Sequence, residues 1–248
     1  MESHAINFYK DRVALNCLVK DIKNAKEVAE AIDGHAALGV LSKQFNSAEE
    51  GIEVVREYLK EVPATISVGL GAGDPTQWEK AAKISAATNP GHVNQVFTSA
   101  PIAKGMLMAN GHTDTRVNSL MSPTGVVGKV KISTGALSES GEAVLADVET
   151  AVMMLKDMQV DAVKFFPMGG LKSIEELKAV AAACAKYDIM LEPTGGITKE
   201  NFREILKVCL DAGVNKVMPH VYNAIINENG ETVVEDVKEL YEIIKELV

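Results

Sequence analysis

The chain has 248 residues, with 25 Lys plus Arg against 34 Asp plus Glu, a formal net charge of −9. That balance disfavours a general nucleic-acid binder, because counterion release needs clustered Lys and Arg. It leaves room for a small anionic substrate at a locally positive site. At this length roughly three quarters of the unfolded chain's surface can be buried, so neither disulfides nor a structural metal is required.

The three cysteines, Cys17, Cys184 and Cys209, are scattered and lack CxxC spacing. They point to reduced thiols and a cytoplasmic setting. The N-terminal MESHAINFYKDR has no apolar signal-peptide core. The longest stretch free of Lys, Arg, Asp and Glu runs from Ile84 to Ala103 and carries Asn, Gln, Pro, Gly and His. No membrane span is expected there.

Short apolar runs alternate with segments of helical spacing along the whole chain, the pattern of parallel strands joined by crossover helices. The first strand is expected at Val13–Leu18, with a helix from about Asn24 to Ile32. The second is Ala36–Leu41, and Ser47 with Glu50 three residues on reads as a helix start. The third is Thr65–Leu70, followed by a helix opening near Asp74-Pro75. The fourth is Val93–Phe97, with a short helix from Pro101. The fifth is Arg116–Leu120. A Gly-bounded, strand-like insertion follows at Val126–Ile132, then a helix from about Leu145 to Met158. Strands six to eight are Ala162–Phe166, Met190–Glu192 and Lys216–Met218. Their helices begin near Ser173, at Lys199 and at Val234, the last closing at Leu247.

Eight strand–helix repeats predict an α/β fold, a single-domain (β/α)8 TIM barrel over residues 1–248. A doubly wound sheet is the alternative, since periodicity does not separate the two. Gly69-Leu70-Gly71-Ala72-Gly73 has the wrong spacing for a dinucleotide loop and reads as a strand-to-helix turn.

In such a barrel the chemistry sits at the carboxyl ends of the strands. Those ends carry Asn16 and Lys20, then Ser42, Lys43 and Gln44, then Asp74, Asn94 and Gln95, Asn118, Lys164, Glu192 and Thr194, and His220. Lys164 is the most informative, because barrel strands are apolar on both faces. Its amine is either a nucleophile made neutral by burial, able to form a Schiff base, or the solvated head of a packed stem. Glu192 occupies the matching place on the next strand. It is either a proton relay or an ion-pair partner for Lys164.

Gly169-Gly170 and Gly195-Gly196 each precede a helix start. They are either ordinary turns or a cradle for an anion. His220 either binds substrate or packs. Lys131 is a rival amine that also fits a solvent-facing strand. His4, His35, His92, His112 and His220 show no metal-ligand spacing, and no GxSxG elbow is present. No metal or organic cofactor is expected.

Val163-Lys164-Phe165-Phe166-Pro167 followed by Pro193-Thr194-Gly195-Gly196-Ile197 resembles the strand-six and strand-seven motifs of 2-keto-3-deoxy-6-phosphogluconate aldolases. Over its whole length the chain is similar to a longer branch, the aldolases of bacterial glucosaminate catabolism. The resemblance implies a class I aldolase, a carbon–carbon lyase that is oligomeric. Its expected action is cleavage of 2-dehydro-3-deoxy-6-phosphogluconate, or a related acid such as 4-hydroxy-2-oxoglutarate, to pyruvate and an aldehyde. Lys164 matches the Schiff-base lysine, Thr194 the threonine beside the pyruvate moiety, and Gly195 and Gly196 the phosphate-contacting glycines.

Two departures shape the expectation. The shorter branch carries a catalytic glutamate in a Val-Leu-Glu-Val pattern at the end of strand two, where this chain has Val40-Leu41-Ser42-Lys43. The base is therefore expected at Glu192, acting through water, with Asn16 and Thr194 holding the pyruvate carboxylate. A Gly-Gly-Ser after the last strand is replaced by Met218-Pro219-His220-Val221. The competing enzyme reading is a sugar-phosphate epimerase or isomerase with no covalent lysine. A non-catalytic binding protein on a decayed barrel is the third.

Overall fold

A computed structural model describes residues 4–248. Seven parallel strands form one sheet in the order β1-β2-β3-β4-β5-β8-β9. They are β1 (Leu15–Leu18), β2 (Ala36–Leu41), β3 (Thr65–Gly69), β4 (Gly91–Val93), β5 (Arg116–Met121), β8 (Ala162–Phe165) and β9 (Met190–Pro193). Each run is short and almost wholly buried, as a parallel sheet covered on its faces requires. The helices are α1 (Ile22–Ala31), α2 (Ala48–Glu61), α3 (Trp78–Thr88), α4 (Ala100–Ala109), α5 (Val148–Asp157), α6 (Ile174–Lys186), α7 (Lys199–Asp211) and α8 (Val234–Leu247).

The helix starts follow local chemistry. Asp21, Ser47 and Asp147 each accept a hydrogen bond from the backbone N–H three residues on. Glu50 reaches back to the N–H of Asn46, one residue before the cap.

Three expected elements differ. Leu145–Asp147 is a strand, β7, paired antiparallel with β6 (Lys129–Lys131). The expected helix therefore begins at Val148, where Asp147 caps it. The expected fourth strand, Val93–Phe97, is displaced: the strand is Gly91–Val93, and Val96 makes only an isolated bridge to Leu120. Residues 216–218 form no continuous strand. Instead, Val217 bridges Val13 and Leu191, and His220 bridges Asn16 and Thr194, all in parallel. Among the described residues no helix is long and apolar enough to cross a membrane.

Two apolar layers hold the fold. The larger lies between the sheet and the helices and includes Leu38, Ile66, Val163, Phe165, Leu177 and Phe202. The smaller joins Ile6, Phe8, Ala14, Ala37, Ala162, Met190 and Met218. Its strand members sit at or near the amino ends of their strands, where small Ala side chains leave room for the N-terminal segment. Lys216 Nζ lies 4.9 Å and Arg116 Cζ 5.9 Å from the Phe8 ring centroid.

That plug closes the end of the sheet opposite the site. Phe8→Ala is expected to lower stability by about 3–5 kcal/mol, as loss of a buried aromatic does. Urea denaturation checks this, with a lower midpoint and an unchanged slope.

Candidate active site

Ala14, Ala162, Met190 and Met218 in the plug are followed two residues later by Asn16, Lys164, Glu192 and His220. Side chains alternate with period two along an extended chain, so each pair shares a face. Moving from the amino to the carboxyl ends of the strands, this face changes from apolar to polar. Above it opens a cavity of about 810 Å³, lined among others by Leu18, Leu41, Gly71, Asn94, Lys164, Thr194, His220 and Tyr222.

Lys164 lies in register with Glu192 on β9 and is only 7% exposed. Its Nζ donates to Asn94 Oδ1 at 2.7 Å. Burial pushes its pKa down to about 8, and the Glu192 charge opposes that fall. Asn94 is held in turn: its Oδ1 also accepts from Asn118 Nδ2 at 2.8 Å, and its Nδ2 donates to Ser67 Oγ at 3.1 Å.

Glu192 is fully buried and does not line the cavity. His92 Nε2 lies 3.0 Å from its Oε1. His220 Nε2 and Asn118 Nδ2 lie 2.8 and 2.6 Å from its Oε2. Burial raises the carboxyl's pKa, but His92 and His220 outweigh burial and hold it well below the ordinary carboxylate range. Lys164 is not among its hydrogen-bond partners.

Each imidazole has a second contact. His92 Nδ1 lies 2.7 Å from Ser67 Oγ, and His220 Nδ1 lies 2.7 Å from the Tyr222 hydroxyl. That hydroxyl donates to Asn16 Oδ1 at 2.9 Å. Burial, and then the charge on Lys164, push His220 down to about 3. Burial, and then the charge on Glu192, push the Tyr222 phenol up.

The remaining expected residues fall as follows. Thr194 lines the cavity, with its hydroxyl donating to the Glu192 carbonyl at 3.0 Å. Gly169, Gly195 and Gly196 line it too, whereas the Gly170 N–H donates to Gly195 O at 2.8 Å. Gly196 has φ +71°, and a Cβ there would stand 2.5 Å from Gly170 N. The two glycine pairs thus touch, and only glycine permits that approach.

Asn16 is buried beneath Tyr222's contact and is not part of the cavity lining; its Nδ2 has no hydrogen-bond partner. Lys131 sits on β6 and does not line the cavity. Cys17, Cys184 and Cys209 are buried and unpaired, and burial pushes the Cys17 thiol up to about 12. Among the described residues no group of three or more His, Cys, Asp or Glu is placed to hold a metal ion.

Sequence reasoning missed His92, Ser67 and Tyr222. The available signal was polarity inside short buried strands: Ser67 on β3 and His92 on β4. Tyr222 follows His220 at the same two-residue spacing but lies outside any strand or helix. Lys43, named only as a strand-end residue, is the second basic side chain of the cavity wall.

Solved structures with this fold include KGPDC from Streptococcus mutans. It is 10% identical, with 95% of this chain and 99% of that chain covered at a TM-score of 0.61. The N-(5'-phosphoribosyl)anthranilate isomerase of Pyrococcus furiosus is 14% identical, covering 95% and 100% at a TM-score of 0.58. At these identities the likeness is one of fold. Fold and site together define an α/β enzyme with its cavity at the carboxyl ends of a parallel sheet. The chain belongs to the KDGP aldolase family, whose model matches residues 9–229. The 2-dehydro-3-deoxy-phosphogluconate aldolase of Salmonella typhimurium is 54% identical over 245 residues, 98% of this chain and 99% of that protein. The chain is accordingly a carbon–carbon lyase.

A Lys whose folded pKa is about 8 against 10.5 unfolded stabilises the fold only in its neutral form. That contribution is complete above 10.5 and is lost as pH falls through 8. At pH 7 the buried ammonium therefore costs about 3 kcal/mol. Lys164→Met is expected to melt at a higher temperature than the wild type at pH 7, with the advantage shrinking toward pH 10.5. Thermal unfolding across this pH range checks it.

Proposed function

We propose that this protein cleaves 2-dehydro-3-deoxy-6-phosphogluconate, or a closely related 2-keto-4-hydroxy acid, to pyruvate and an aldehyde through a Schiff base on Lys164. The observation that carries the reading is a buried amine with its pKa lowered to about 8, lining a cavity, and bonded to an amide oxygen rather than a carboxylate. A neutral amine is a nucleophile toward a ketone. The named activity of the 54% identical Salmonella typhimurium relative supports the substrate class.

The free pair on Nζ adds to C2 of the keto acid, and loss of water leaves an iminium. That cation takes up the electron pair of the breaking C3–C4 bond as the C4 hydroxyl gives up its proton and becomes the aldehyde. The resulting enamine gains a proton at C3, and water then releases pyruvate. Thr194 holds the pyruvate end, whereas Asn16, outside the cavity lining, accepts from the Tyr222 hydroxyl. Gly195 and Gly196, beside Gly169 and the start of α7, take the phosphate. Glu192 supplies the negative charge behind the proton steps.

We place these groups in a single-domain (β/α)8 barrel. The parallel bridges from Val217 and His220 to both edges of the seven-stranded sheet support closure. The buried, unpaired cysteines support a cytoplasmic setting. The exposed Val126, Val127, Leu137, Val144 and Leu145 around the β6–β7 insertion support a homo-oligomer.

Borohydride reduction in the presence of pyruvate is expected to fix one pyruvate on the peptide that contains Lys164. The rate of trapping should rise with pH and level off above about 8. Lys164→Ala should trap nothing and lose at least about a thousandfold in cleavage rate. Full cleavage activity in that variant would overturn the reading. An isomerase on the same cavity would turn over substrate yet resist borohydride.

A further inference from the structure

Lys164, Thr194 and the glycines account for covalent capture and binding, but the proton steps need a group that reaches the cavity. Glu192 does not, because its carboxylate is fully buried and both oxygens are taken. What connects it to the cavity is His220, with Tyr222 beyond: Glu192 Oε2 to His220 Nε2 is 2.8 Å, and His220 Nδ1 to the Tyr222 hydroxyl is 2.7 Å. Both His220 and Tyr222 line the cavity, and Tyr222 is the less buried of the two.

Resting on the Schiff-base reading above, we propose that Tyr222 is the catalytic acid–base of this enzyme, and that His220 and Glu192 form the proton store behind it.

The phenol has one proton and two acceptors in reach, His220 Nδ1 and Asn16 Oδ1. With Nε2–H directed at Glu192, neutral His220 leaves Nδ1 open to accept. As the C3–C4 bond breaks, the C4 hydroxyl proton passes to the Tyr222 oxygen. The phenol's own proton passes to His220 Nδ1 in the same step, so no phenolate accumulates. This matters because burial and the Glu192 charge both disfavour a phenolate here. The C3–C4 electron pair goes to the iminium, giving the neutral enamine and the aldehyde. In the next half-reaction the proton returns from His220 through Tyr222 to C3 of the enamine, and the iminium reforms.

The charges favour this exchange. His220 resists protonation because of burial and then the positive charge at Lys164. The second of these vanishes when the iminium collapses to the enamine. Positive charge thus moves from the Lys164 nitrogen to His220, next to a carboxylate already in place. Reprotonation at C3 reverses the move.

The experiment separates imine formation from proton transfer. Wild type, Tyr222→Phe and His220→Gln are each incubated with pyruvate. One aliquot is reduced with borohydride and mapped by mass. Another is placed in deuterium oxide and followed by proton NMR for exchange at C3. Cleavage of 2-dehydro-3-deoxy-6-phosphogluconate is measured in parallel.

Both variants are expected to trap pyruvate on Lys164 as the wild type does. They should lose C3 exchange and cleavage by about 10²–10⁴-fold, the range for general acid–base catalysis. Exchange and cleavage within threefold of wild type in either folded variant, with trapping intact, would overturn the proposal and give the proton step to Thr194 or water. If Tyr222→Phe does not fold, His220→Gln alone decides by the same comparison. Absence of trapping in the wild type would instead sink the Schiff-base reading on which the proposal rests.

Discussion

Three donors hold the Glu192 carboxylate, and Lys164 is not one of them. The two residues face each other in register on adjacent strands, both buried, and the simplest outcome would be an ion pair. An ion pair would fix the amine as an ammonium and remove it from chemistry. Instead His92, His220 and Asn118 satisfy the carboxylate with hydrogen bonds worth about 1.5–3 kcal/mol each. Asn94 gives the amine a neutral acceptor, which bonds either protonation state without favouring the charged one as a carboxylate would. Asn118 serves both sides, since its Nδ2 donates to Glu192 Oε2 and to Asn94 Oδ1. The negative charge stays in the site and acts on Lys164 through space, without a hydrogen bond to it.

This separation depends on the ends of the sheet being unlike. The period-two alternation that buries Ala14, Ala162, Met190 and Met218 around Phe8 also sets Asn16, Lys164, Glu192 and His220 one step higher on the same face. A one-residue slip in any of these strands would send its polar side chain into the layer beneath the helices. The apolar plug and the polar site therefore share one register. The plug excludes water from below, so the amine's desolvation comes from the fold itself.

Much of this was legible in the residues. β2, the start of α7 and the whole of α8 agree with expectation because their signals are local: a continuous apolar run, a Thr cap and an amphipathic repeat. The facing of Lys164 and Glu192 followed from strand order and spacing. The strand expected at Lys216–Met218 does not form as one, because that segment is tied to its neighbours only by isolated bridges. Leu145–Asp147 went astray because a helical period continues through it, and only pairing with Lys129–Lys131 makes it a strand. The partner of His92 was beyond sequence reasoning, although the histidine's polarity inside a buried strand was a signal. It meets Glu192 across 100 positions of chain, and no local pattern reports a contact that the curled sheet creates.

The missing strand-two carboxylate fits the same picture. Ser42 stands where the shorter aldolase branch keeps its glutamate, and its hydroxyl is buried without a hydrogen-bond partner. A carboxylate at that point, which does not line the cavity, would add a second buried negative charge to the one at Glu192. Without a hydrogen-bonding partner it would bind a proton, because burial disfavours the charged form. Keeping a single carboxylate, with two imidazoles to spread its charge, avoids that conflict. It also keeps the one carboxylate on β9, in register with Lys164 on the neighbouring strand.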